Sequence, residues 1–342
     1  MNNNWLAPGY FPDFRCKADE CRHCCCKRWQ IPVSRKEYNK LITMKCSEKL
    51  NECIQNTFVV PEIVTENNYR NISFNWLGDC HMLENGLCSL YLEKGDEYLP
   101  KICRLYPRSF KEVNNIKIAS CSNSCEKVVE MIYDSDCLDI KEIDLDEEVE
   151  ILYDAEKDDV ELIKKIQDIV KDRSTSLTQS INDICCLINE DEFVKDYNSN
   201  IDPVINGLDL LNKIAFNNDY LKDLADKLSS RYKNTSKYYE DQIEFENKYP
   251  DWMYFFERII NNSMIYVLFP FVDKRFDNTK ACKGLCCNYG LMRLACIGAT
   301  HNSNDRNDLI DTISFLYHVI EHTAFYYNVS LMVDNAAAML KL

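Results

Sequence analysis

Beyond residue 160 the chain sets apolar against polar positions on a helical period. In Leu162–Val170 the apolar residues fall at 162, 163, 166, 169 and 170, and Leu177, Ile181, Ile184, Leu187 and Ile188 repeat three- and four-residue steps. Both stretches predict amphipathic helices with one face on a core. Asp202-Pro203 and Thr235-Ser236 are candidate helix starts, because a short oxygen-bearing side chain caps free amides and proline fits the first turn. Trp252–Phe271 is apolar on several faces, which predicts a central buried helix, and Asp308–Asn328 predicts another through Leu309, Ile313, Leu316, Ile320 and Phe325.

The first third lacks such repeats and is punctuated instead. Glu84-Asn85-Gly86 is a turn signal between Cys80 and Cys88, since asparagine and glycine accept positive φ, and Pro100 and Pro107 restrict the backbone around Cys103. The expected fold is mainly α. A cysteine-rich, loop-rich metal-binding module covers residues 1–133, with at most a small strand pair, and an acidic linker and helical body cover 134–342. Eight glycines serve 342 residues, and no G-x-G-x-x-G or P-loop occurs, so a nucleotide-like ligand is not held in the common glycine-loop manner.

Charge narrows the partners. Fifty-five acidic against 40 basic residues give −15, which argues against general affinity for nucleic acid or anionic membranes. Fourteen acids and two lysines lie between Asp134 and Glu161, read as a solvated face or linker, with a lysine-attracting surface as the other reading. No apolar run approaches about 18 residues and no secretory leader is evident. The expectation is a cytoplasmic protein, its oligomeric state open.

Nineteen cysteines change the picture most. Five fall between Cys16 and Cys26, in CKADECRHCCC. Disulfides do not persist in a reducing compartment, and neighbouring cysteines bridge each other poorly. Buried packing remains a good account of Cys46, Cys53, Cys137, Cys185 and Cys186. For the dense cluster, soft-metal ligation is the better account, since thiolates select zinc or iron–sulfur clusters over hard ions. Spacing does not separate those two.

The cysteines and their neighbours read C-x4-C-x3-C-C-x2-W over Cys16, Cys21, Cys25, Cys26 and Trp29, then C-x7-C over Cys80 and Cys88, then C-x2-Y-P-R from Cys103 to Arg108, then Cys121. This set resembles the eight-cysteine zinc- or iron-chelating family and, within it, the flagellin lysine N-methylases. "LFPF" at 268–271 and "IEHTAFY" at 320–326 resemble later landmarks of those methylases. The resemblance implies methyl transfer from S-adenosylmethionine to lysine ε-amines of flagellin. It also implies a cysteine-bound iron–sulfur cluster of the 4Fe-4S kind, with zinc the alternative, on Cys16, Cys21, Cys25, Cys26, Cys80, Cys88, Cys103 and Cys121. Cys24 departs from the pattern and reads as the spare member of the triple; Cys125, Cys282, Cys286 and Cys287 also lie outside it. A different class is a non-catalytic zinc- or iron-binding, redox-sensing protein, because metal-chelating relatives share the cysteine pattern.

A lysine nucleophile must first lose its proton, at a cost of roughly 4 kcal/mol at neutral pH. Tyr106, Glu321 and Tyr326 are candidates to take it, unranked by the sequence. His322 reads first as a core histidine. Trp29 and Tyr106 read as packing against the metal loops, and Arg104 and Arg108 as surface salt-bridge partners or as clamps for a donor carboxylate.

Overall fold

The computed structural model describes residues 4–27, 31–113, 115–145, 153–155, 160–189, 201–271, 277–303 and 305–342. Trp29 and residues 146–152 and 156–159 of the acidic run lie outside them. The chain forms two compact units, residues 15–108 and residues 1–14 with 109–342. Residues 1–14 and 109–133, grouped with the cysteine module in the sequence reading, thus belong to the helical unit.

The helical unit is mainly α, as expected, but it carries a five-stranded mixed sheet in the order 153–155, 108–113, 116–121, 4–8, 140–144. The strand Asn4–Pro8 runs parallel to Ile116–Cys121 and antiparallel to Ile140–Asp144, with Trp5 opposite Lys117 on one side and Ile143 on the other. Tyr153–Ala155 pairs with Arg108–Val113 at the far side, Tyr153 opposite Lys111. The acidic run is therefore no mere linker: it supplies both edges of the sheet. Charged edge strands resist pairing with other chains.

Helices follow where the apolar period predicts them, at Val160–Lys171 and Leu177–Ile188. Asp202 caps Pro203–Ile214 through the amides of Val204 and Ile205, and Thr235 precedes Ser236–Lys248. Trp252–Val267 is shorter than expected, closing on Leu268 in the left-handed region (φ 58°). The last predicted helix is two, Arg306–His322 and Phe325–Met332, divided at the extended Thr323. Asn278–Ala299 runs through the centre, buried from Ala281 to Ile297 apart from Lys283, against 203–214, 306–322, 325–332 and the terminal turn Ala336–Lys341. Its glycines admit neighbours that a Cβ would exclude: at Gly284 a Cβ would stand 2.1 Å from Tyr326 Cδ1.

The 15–108 unit is built from short pieces. Pro32–Val33, Arg70–Ile72 and Phe58–Val59 form a three-stranded antiparallel sheet in that order, and the helices Arg35–Thr43 and Glu48–Thr57 accompany it. Leu83–Glu84 and Leu87–Cys88 make a hairpin whose Asn85 and Gly86 both take positive φ (52° and 82°), the geometry of a tight primed turn. The core is small: Ile31, Val33, Leu41, Leu50, Ile54, Ile72, Cys80, Met82 and Leu90, with Cys26, Cys46, Cys53, Cys88 and Cys103 packed against it.

Candidate functional site

Backbone pairing assembles the thiols of the 15–108 unit. The Cys80 amide donates to the Cys26 carbonyl (2.9 Å), and the adjoining Lys27–Asp79 bridge is reinforced by an ion pair at 3.1 Å. Cys88 leaves the hairpin as the N-cap of Ser89–Lys94. Cys103 rides on Lys101–Leu105, whose first amide donates to Glu37 Oε1 (2.6 Å). The other oxygen, Glu37 Oε2, closes a capping box with Ser34, so one carboxylate fixes two helix starts.

Electrostatics couple several of the sulfurs. Cys24 is pushed up by its hydrogen bond to Cys26 and then by burial; Cys80 is pushed up to about 11 by burial, with Cys88, Cys24 and Cys53 adding to it. Burial also raises Cys88 and Cys103, and the latter feels Cys26, Cys80 and Cys88. Cys24, Cys26, Cys80, Cys88 and Cys103 thus form one electrostatic group. Cys25 is exposed and reaches Cys26. The structure therefore places Cys24, read as the spare, inside the group, and Cys25 at its rim. Cys16 is exposed, its sulfur accepting from the Ala18 amide (3.4 Å), and Cys21 is half-buried after the turn Ala18–Glu20. Cys121 is buried at the end of its strand in the helical unit, and Cys125 caps the helix that follows.

These residues fit a soft cation. Burial and mutual repulsion resist thiolate formation, while the Met82 amide beside Cys80 and the Leu90 and Tyr91 amides beside Cys88 favour it. A bound positive centre removes the resistance and keeps the amide bonds. Among the described residues, the set of three ligating atoms all within 4.8 Å is not of thiols but of Asp241, Glu244 and His301. There Arg231 already holds Asp241 through two bonds (2.5 and 2.6 Å) and Tyr232 adds a third (3.0 Å), so a guanidinium stands where an ion would.

The helical unit holds a second constellation. After the strand ending at Cys121, Ser122, Asn123 and Ser124 turn the chain into the helix Glu126–Tyr133. The turn meets the end of the 306–322 helix: Glu321 Oε2 accepts from Ser122 Oγ (2.6 Å) and Asn123 N (2.9 Å), and His322 Nε2 lies 2.9 Å from Ser122 Oγ and 2.8 Å from Ser124 Oγ. Asn262 braces the turn by donating to the Cys121 carbonyl (2.8 Å) and Asn123 Oδ1 (2.7 Å), while its own oxygen accepts from Tyr10 (2.6 Å). Lys111 donates to the Tyr266 carbonyl and lies 4.9 Å from that ring's centroid.

Three titrations move here. Burial raises Glu321 to about 7 against the pull of Ser122, Ser263, Asn123 and Lys111; burial lowers Lys111 to about 8 despite Glu321; and burial, then His318 and Lys111, lower His322 to about 3. Glu321 Oε1 is out of solvent contact and has no hydrogen-bond partner, Ser263 Oγ sitting beside the carboxylate without completing a bond. Of the sequence candidates, Tyr326 is buried and pushed up, its hydroxyl beside Asn288 without completing a bond. Tyr106 caps Lys101–Leu105, Arg104 is exposed, and Arg108 is half-buried. Lys111, Ser122 and Ser124 escaped the sequence reading; the serines alternating with Asn123 between two cysteines were the available signal.

Residues 126–341, most of the helical body, match the FliB lysine N-methylase C-terminal domain. The chain belongs to the FliB lysine N-methylase family, the flagellin lysine N-methylases that its sequence resembles, and it is a protein-lysine N-methyltransferase. No curated protein and no solved structure matches it. No helix among the described residues is long and apolar enough to cross a membrane.

Proposed function

We propose that the chain transfers methyl groups from S-adenosylmethionine to lysine ε-amines of flagellin in the cytoplasm, and that its 15–108 unit holds an iron–sulfur cluster. The observation that carries the cluster is the crowding of Cys24, Cys26, Cys80, Cys88 and Cys103, thiols that oppose one another's ionisation unless a cation lies among them. Zinc and an iron–sulfur cluster both take thiolate ligands; the family resemblance is what favours the cluster. The cluster supplies the positive charge that holds these side chains as thiolates and ties their loops together. Cys16, Cys21 and Cys25 lie in the same unit as reserve ligands, whereas Cys121 lies in the helical unit.

Flagellin as substrate follows from the family. The transfer itself is a displacement at a sulfonium methyl, which a neutral lysine nitrogen performs without a radical. Anaerobic purification with iron, sulfide and zinc measured on one sample tests the cluster: iron with sulfide supports it, zinc without sulfide overturns it. Mass spectrometry of flagellin incubated with the protein and deuterated-methyl S-adenosylmethionine tests donor and acceptor together. Labelled lysines support the reading, and unlabelled flagellin overturns it.

A further inference from the structure

We propose that Glu321 is the catalytic base of the methyl transfer, its Oε1 receiving the ammonium of the substrate lysine while Ser122 and the Asn123 amide hold Oε2. This rests on the proposed transfer from a sulfonium donor. The two oxygens are unlike: Oε2 accepts two hydrogen bonds, and Oε1 is withheld from water without one. The residue as a whole is half-buried while Oε1 itself is out of solvent contact, so the substrate ammonium reaches Oε1 on binding by displacing the side chains that cover it. The carboxylate takes one proton from the ammonium and becomes a neutral acid. The freed nitrogen pair then forms the bond to the methyl carbon as the carbon–sulfur bond breaks, its electrons remaining on sulfur as a thioether. The product is a secondary ammonium.

Other groups of the centre are worse bases. Tyr266 and Tyr326 face Glu321 from the 252–267 and 325–332 helices, Tyr317 from its own helix and Tyr10 from the turn after the strand Asn4–Pro8, and all are pushed up by burial, so they stay protonated. His322, near 3, is too weak a base for an ammonium. Glu321, near 7, matches the operating pH, where general bases are most effective. Lys111 shows what the same centre does to an ammonium, lowering it to about 8.

The test is the pH profile of kcat/KM for flagellin methylation by the intact, cluster-loaded protein, wild type against Glu321→Gln. Wild type should rise to a plateau above about pH 7. The variant should lose on the order of 10²- to 10⁴-fold, and its residual rate should climb about tenfold per pH unit towards 10, since the substrate must then lose its proton to solvent. Ser122→Ala keeps the carboxylate but removes a bond to its charged form, so its lower limb should move to higher pH. A readout independent of turnover is infrared difference spectroscopy of the resting protein, wild type minus Glu321→Gln, which should show a carboxylic acid carbonyl disappearing around neutral pH. Absence of that band overturns the assignment even if the donor proves to be something else. Wild-type rate and profile in folded Glu321→Gln would overturn it as well.

Discussion

The two units use cysteine differently. In the helical unit Cys185, Cys282, Cys286, Cys287 and Cys296 are fully buried among apolar helices, Cys185 beside Cys282 and Cys286, and there a thiol is a small apolar side chain within a large hydrocarbon core. In the 15–108 unit the thiols cover a core of nine buried residues and face one another. The first arrangement is stable as thiols. In the second, burial and neighbouring sulfurs resist ionisation, the resistance that the proposed cluster would lift. Composition alone makes all nineteen cysteines look alike; what separates them is how much hydrocarbon the surrounding elements bury.

The sharpest break of that comparison is to remove the metal. Chelation of the full chain under anaerobic conditions should expose residues 15–108 to limited proteolysis while a fragment within 109–342 persists, because coordination contributes folding free energy directly. Equal resistance of both units with and without metal would end the distinction. Next in size, Cys80→Ser and Cys26→Ser should lose most bound iron, whereas Cys286→Ser should keep it and lose about 1–3 kcal/mol of stability by burying a hydroxyl. Iron retained in Cys80→Ser would remove that residue from the ligand set. Cys24→Ser against Cys25→Ser refines the register: the group around Cys80 and Cys88 includes Cys24, so Cys24→Ser should cost more iron than Cys25→Ser.

What could be read beforehand follows the same divide. The helices at 160–171 and 177–188 were legible because each shows one apolar face, and the 83–88 hairpin because Asn85-Gly86 encodes its turn. The central helix Asn278–Ala299 was not, since a helix buried all round has no stripe. The sheet edges at 140–144 and 153–155 were hidden inside a charge run. At the site, thiol density marked the cysteine unit. Glu321 appeared only among several candidates, because its environment is set by Ser122 and Asn123, some 200 positions earlier in the chain.

A smaller effect probes the helical unit's self-sufficiency. Gly284→Ala places a methyl 2.1 Å from the Tyr326 ring, with two further ring atoms at 2.8 Å. The ring must move within a packed core, at about 1–3 kcal/mol. Thermal unfolding should fall by several degrees with iron content unchanged. A parallel loss of iron would mean that the units are not energetically separate.

The smallest expected effect concerns acid. Burial, with His318 and Lys111, lowers His322 to about 3 from an ordinary 6.5, so the folded state resists a proton that the unfolded chain accepts. Its contribution to stability is complete above about 6.5 and is lost as pH falls through about 3. Glu321 has the opposite sign: its folded value near 7 exceeds the ordinary 4.5, so its contribution is complete below about 4.5 and is lost as pH rises through about 7. His322→Gln cannot titrate, and it leaves Glu321 in both proteins, so the Glu321 slope largely cancels in the difference. The variant should be less stable at pH 7, by about 1 kcal/mol for altered bonds to Ser122 and Ser124. Between pH 6.5 and 4.5 it should lose less than wild type, by on the order of 1 kcal/mol once the half-buried ring is discounted for solvent. Urea midpoints of both proteins at pH 7.0 and 4.5 measure this. Parallel losses would mean that His322 is solvated and carries no acid sensitivity, and a steeper loss in the variant would reverse the sign derived from burial.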